Sequence, residues 1–60
     1  MSKGIMVQKA LEAMEERLEH VSELHTVGRN EVAVIGTMGG DTFHYRVHFE
    51  DNEIVSIGVK

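Results

Sequence analysis

The chain has 60 residues, with no cysteine, no proline and a formal net charge of −4. This length fits one small domain over residues 1–60, and the absence of cysteine excludes disulfides and thiolate chemistry. The negative charge argues against nucleic acid or an anionic membrane as partner, and no stretch approaches the ~20 apolar residues of a membrane span.

The first predicted element is one long amphipathic helix over about residues 3–27. Its apolar residues recur at spacings of four and three, as on a packed helix face, and glutamates occupy the opposite side. Ser2 suits the N-cap, and Gly28 suits the left-handed residue that ends a helix. The apolar residues are Val7, Leu11, Met14, Leu18 and Val21, and the glutamates are Glu12, Glu15, Glu16, Glu19 and Glu23.

The second half of the chain predicts three β-strands, at about residues 31–38, 42–49 and 53–59. Residues 42–49 alternate between polar and apolar side chains, which is the period of a half-buried strand. Gly39-Gly40 suits a two-residue turn, and residues 50–52 suit a three-residue turn. A three-residue turn at 39–41 would instead bring Ala33 and Ile35 inward. With a two-residue turn at Gly39-Gly40 and a three-residue turn at residues 50–52, one face of the sheet is continuously apolar. It contains Val32, Val34, Phe43, Tyr45, Val47, Phe49, Val55, Ile57 and Val59.

The expected fold is therefore α+β: one long N-terminal amphipathic helix packed on a three-stranded antiparallel β-meander in the order 1-2-3. Gly36 and Gly58 interrupt the outer strands, where glycine often marks a bend of the sheet. With the near-heptad helix and the Gly-Gly and Asp-Asn turns, this pattern resembles an idealised or de novo designed α-β-β-β mini-protein with a curved sheet. The resemblance names no natural family and implies no site residues.

Three features predict self-association. A helix of about 25 residues spans roughly 37 Å and strands of eight residues only roughly 27 Å, so the helix would overhang. The N-terminal half of the helix has a wide apolar arc, and the outer face of the sheet is half apolar. A strongly curved sheet covering the whole helix is the alternative. We expect a homodimer, with the interface candidates Ile5, Met6, Ala10, Ala13, Ile35 and Ile54.

The histidines are the strongest candidates for chemistry. His44 and His48 share one strand face about 13 Å apart, too far for one metal ion, and with Arg46 they could form a pH-sensitive surface. His25 is expected to face the sheet from the helix end, and His20 to lie at the surface. We predict no catalytic, cofactor-binding or metal-binding residue.

The leading functional hypothesis is a non-catalytic, self-associating structural scaffold, and we expect a designed homodimer. The alternative is a natural acidic interaction module, of the inhibitor or antitoxin type, docking a basic partner through its glutamate face or a strand edge. A third hypothesis is a ligand or metal site inside a dimer, where two copies of His25 approach. No small-molecule substrate or cofactor is predicted, and a soluble, cytoplasmic protein is the default expectation.

Overall fold

A computed structural model of the chain describes residues 3–59 and shows one helix followed by a four-stranded antiparallel sheet. The strands lie in the order β1-β2-β3-β4, so each strand pairs with its neighbour in sequence. Ser2, the predicted N-cap, lies outside the described residues. The elements are α1 (Lys3–Glu15), β1 (His20–Val27), β2 (Glu31–Met38), β3 (Asp41–Glu50) and β4 (Glu53–Val59).

The predicted fold of a helix over residues 3–27 and three strands is wrong, because residues 20–27 form a fourth strand beside β2. A β-bulge explains why this strand resembles a helix in sequence. Val21 pairs with Gly36 and Leu24 with Val34, and the register shifts between them. A bulge adds one residue to a strand, so two residues three apart face the same side, as they also do on a helix.

Repulsion between carboxylates also acts against the longer helix. That helix would place Glu12 beside Glu16 and Glu19 beside Glu23, and like charges four residues apart are destabilising. Ending the helix at Glu15 and forming β1 separates Glu19 and Glu23 from it.

Backbone hydrogen bonds close the connection between α1 and β1. The Met14 carbonyl accepts from the N–H groups of Arg17 and Leu18, at 2.9 and 2.8 Å, and the Glu19 N–H donates to the Thr37 carbonyl at 3.0 Å. Gly28, predicted to end the helix, has a φ of 67° in the turn between β1 and β2. The prediction of a left-handed residue at Gly28 is correct, although the element that it ends is a strand.

The first predicted hairpin register is confirmed, since Met38 pairs with Asp41 and Val32 with Val47. β2 and β4 coincide with the predicted ranges, and β3 extends one residue further at each end. The turn at Gly39-Gly40 therefore has two residues, as its sequence predicts.

The second predicted hairpin register is wrong. The turn consists of two residues, Asp51 and Asn52, whose φ angles of 50° and 67° suit a type I′ hairpin turn. Phe49 consequently pairs with Ile54, and the register shifts before the next pair. Ile54 therefore packs against the core, whereas Val55, predicted to face inward, is 53% exposed.

The core lies between α1 and one face of the sheet. Lys9 joins the helix to the turn between β3 and β4, because its Nζ donates to the Asn52 carbonyl at 2.6 Å and lies 3.6 Å from Glu53 Oε1. Six further apolar side chains are partly buried against the core: Val21, Leu24, Phe43, Tyr45, Ile54 and Ile57. The buried side chains of the core are Met6, Ala10, Met14, Leu18, Val32, Val34, Val47 and Phe49.

The shorter helix removes one reason for expecting a dimer. Thirteen residues make a helix of roughly 20 Å, while strands of seven to ten residues span roughly 24 to 34 Å. The helix therefore needs no overhang. Within residues 3–59, no helix is long and apolar enough to cross a bilayer.

The contact of β1 with Gly36 gives a test of the fourth strand. A Cβ atom at Gly36 would lie 2.5 Å from the His20 carbonyl oxygen and 2.6 Å from Leu18 Cδ1, whereas one at Gly58 would meet nothing within 4 Å. We expect Gly36→Ala to lower the free energy of unfolding by about 1–3 kcal/mol, because β1 must move away. Gly58→Ala is the matched control and should change it little. Urea denaturation followed by circular dichroism measures both; equal effects would contradict the placement of β1.

Candidate functional site

The two edges of the sheet differ in charge. β1 has Glu23 near its middle and two exposed histidines, and charged residues on an edge strand discourage pairing with another chain. In β4 the stretch from Ile54 to Val59 contains no charged residue and no proline. β4 is therefore the more open of the two edges.

Apolar surface accompanies the β4 edge. Val59 is 72% exposed and Val55 is 53% exposed, while Ile57 is partly buried against the core. Next to β4, Phe43 and Tyr45 of β3 stack with ring centroids 6.4 Å apart and are only half-buried. The side of the sheet that faces the helix is thus incompletely covered near β4. We call Val55, Ile57, Gly58 and Val59 the β4 edge.

The six predicted interface residues occupy different environments. Met6 and Ala10 are buried in the core of a single chain, and Ile54 packs against that core. Ala13 and Ile35 are half-buried, and Ile5 is 43% exposed. The structure does not gather these residues on one surface. The predicted register placed Val55 inward, whereas the two-residue Asp-Asn turn and the bulge leave it at the surface. Val59 lies opposite Tyr45 on the inward side, and it is exposed because the helix does not cover this edge.

The outer face of the sheet, opposite α1, carries an ion-pair network. Glu31 on β2 accepts a hydrogen bond from Nη1 of Arg46 on β3, and its other oxygen lies 3.5 Å from His48 Nε2. The side chains of Glu31 and Arg46 are 20% and 30% exposed. A carboxylate therefore lies beside Arg46 and His48, and it offsets the repulsion that we predicted on this face. His44, the second member of the predicted pair, lies beyond this network.

A shallow depression lies beside the network and has a volume of about 120 Å³. His25 lines it from β1, with Ala33 and Ile35 of β2 and with His44 and Arg46 of β3. His25 was predicted to face the sheet from a helix, but it lies on the outer side of β1 and its side chain is 56% exposed. Its Nδ1 is 3.8 Å from Glu23 Oε1.

A larger depression of about 370 Å³ lies at the two turns at the opposite end of the sheet from Gly39-Gly40. Asn30, Glu50, Asp51 and Asn52 line it. Within the described part of the chain, no group of three or more histidine, aspartate or glutamate side chains is arranged to hold a metal ion. This depression is polar but has no geometry that points to a particular ligand.

The predicted acidic helix face is divided between several elements. Glu12 and Glu15 remain on α1, and Glu23 lies on β1 beside His25. Glu19 precedes β1, and its Oε1 accepts a hydrogen bond of 2.6 Å from the Gly39 N–H in the turn between β2 and β3. A basic partner would therefore not meet the continuous glutamate face that a single long helix would present.

Comparison of the chain with protein-family models, with curated proteins and with solved structures gave no match. The similarity to designed mini-proteins therefore remains a prediction. The β4 edge combines an uncharged, open strand edge with exposed apolar side chains, so it is the surface from which we infer a function.

The structure of the β4 edge is tested by two neighbouring alanine substitutions. Ile54→Ala removes a side chain packed on the core, so we expect a loss of about 1–2 kcal/mol in the free energy of unfolding, below the cost at a fully buried site. Val55→Ala changes an exposed bulge residue and should alter it by less than about 0.5 kcal/mol. Thermal and urea unfolding measure the two values. A larger loss for Val55→Ala than for Ile54→Ala would support the register predicted from sequence instead.

Proposed function

We propose that this chain is a non-catalytic domain that self-associates, forming a homodimer in which the β4 edges of two copies pair antiparallel. The observation that carries the proposal is the uncharged stretch from Ile54 to Val59 on an open edge, with Val55 and Val59 largely exposed. Unpaired N–H and C=O groups on an edge strand are a template for pairing with another strand.

A second copy suits the β4 edge because antiparallel pairing of one strand with itself has two-fold symmetry. Closed two-fold dimers are the commonest oligomers, and each copy contributes the same surface. The bulge at Val55 interrupts the regular ladder, so we place the pairing at Ser56–Val59. Pairing there would join two four-stranded sheets into one of eight strands. It would also cover Val59 beside the half-buried pair of aromatic rings.

The negative net charge of the chain opposes dimerisation. Each copy has a formal net charge of −4, so two copies repel each other at long range. The stretch from Ile54 to Val59 contributes no charge, and the contact itself therefore brings no like charges together. Since the Debye length falls to about 10 Å at 0.1 M salt, added salt should favour the dimer.

The burial of polar groups supports the absence of catalysis. No polar or charged side chain is fully buried among residues 4–59. Catalytic acids, bases and nucleophiles are usually activated by burial in a cleft or by close charged partners. The depression lined by the histidines and Arg46 has about 120 Å³, well below the roughly 300 Å³ at the lower end of small-molecule sites. The larger depression of about 370 Å³ is lined by side chains that are all exposed or half-buried.

Gly58→Lys tests the β4 edge directly. A Cβ atom at Gly58 meets nothing within 4 Å, so the substitution should preserve the fold. It should convert the dimer to a monomer, because lysine on an edge strand discourages pairing and the two added positive charges would lie close together near the two-fold axis. Light scattering after gel filtration, at micromolar concentration, measures the mass. Gln8→Lys, on the exposed side of α1, makes the same charge change away from the edge and should leave the dimer intact.

Salt provides the second measurement on the same dimer. Sedimentation equilibrium of the unchanged chain should show tighter association when sodium chloride rises from about 0.02 to 0.3 M, because the repulsion is screened. A monomeric mass for the unchanged chain under all these conditions would end the proposal. Equal dissociation by Gly58→Lys and Gln8→Lys would show that net charge controls association and that β4 is not the interface.

A further inference from the structure

The outer face of the sheet has a gap above Ala33, between a histidine and an arginine. His25 pairs with Ala33 on one side, and Arg46 pairs with it on the other. The Cα atoms of His25 and Arg46 are therefore two strand spacings apart, about 10 Å. Because the alanine side chain ends at Cβ, the space between the imidazole and the guanidinium is open, and this is where the depression of about 120 Å³ lies.

The groups around the gap have the chemistry of an anion site. His25, His44 and Arg46 line it, and Ile35 supplies an apolar wall. A guanidinium has five N–H donors in a planar fork, and the pair with Glu31 uses Nη1. Protonated imidazoles donate from both ring nitrogens. The depression thus has a fixed cation and two groups that become cations as the pH falls.

We propose that the gap above Ala33 binds a small inorganic oxyanion, such as phosphate, together with uptake of protons by His25 and His44. The volume limits the ligand to the anion itself, since metabolite sites begin at roughly 300 Å³. This site lies on the opposite face of the sheet from α1 and does not depend on pairing of the β4 edge.

Neighbouring carboxylates contribute to the net charge around the gap. Glu31 contacts Arg46 and also lies beside His48, and Glu23 lies 3.8 Å from His25. When the histidines are neutral, these two carboxylates outweigh the single positive charge of Arg46, and the gap does not attract an anion. Histidine changes its charge between pH 5 and 8, so the gap becomes net attractive to an anion toward the lower end of that range. Binding should therefore be weak at pH 8 and stronger near pH 6.

Nuclear magnetic resonance of the histidine rings tests this site. Phosphate added at pH 6, with chloride at the same ionic strength as reference, should shift the signals of His25 and His44 with a saturable dissociation constant on the order of 1–10 mM. The titration midpoints of both rings should move to higher pH in phosphate, because a bound anion stabilises the charged imidazole. His20, which lies outside the depression, should not respond.

Single substitutions test whether phosphate binds at the gap above Ala33. His44→Gln should weaken phosphate binding several-fold, and His20→Gln, an exposed histidine of β1, should leave it unchanged. Arg46→Lys keeps the positive charge but removes the planar fork, and should also weaken binding. Equal shifts with chloride and phosphate would overturn the proposal. Equal weakening by His44→Gln and His20→Gln, or shifts without saturation, would overturn it as well.

Discussion

The width of the sheet relative to its one helix is the constraint on which the rest of the structure depends. An α-helix with its side chains is about 10–12 Å wide, and four strands spaced by about 4.8 Å span more than 14 Å. One helix therefore cannot cover both edges. All strand residues of the buried core lie in β2 and β3, and their counterparts in β1 and β4 are only partly buried. The exposure of Val59 follows from the same mismatch.

The sequence predicted those parts of the fold in which the spacing of apolar residues fits only one kind of secondary structure. The alternation from Thr42 to Phe49 and the Gly39-Gly40 turn together specified β3 and its pairing with β2. The helix was also identified, but its end was placed too late. A bulge in β1 sets Val21 and Leu24 three residues apart on one face, and in sequence this spacing is the same as that of a helix. The pairing of this segment with β2, including that of Val21 with Gly36, distinguishes the two structures.

The candidate sites were harder to predict than the fold, because each depends on register. One residue more or less in the turn at Asp51-Asn52 decides whether Ile54 or Val55 faces the helix. The gap above Ala33 requires β1 on one side of β2 and β3 on the other, so it has no counterpart in a three-stranded sheet. His25 and Arg46 are 21 positions apart in the chain, and no local pattern connects them.

The simple strand order has a consequence for the way the chain folds. Every strand pairs with its sequence neighbour through a turn of two or three residues, and four residues join α1 to β1. Closing such short loops costs little chain entropy, and topologies rich in local contacts fold quickly. Any of the three hairpins can begin the sheet, and each added strand extends a ladder already formed. The buried side chains of α1 pack on residues of β2 and β3, so docking of the helix depends on the pairing of these two strands.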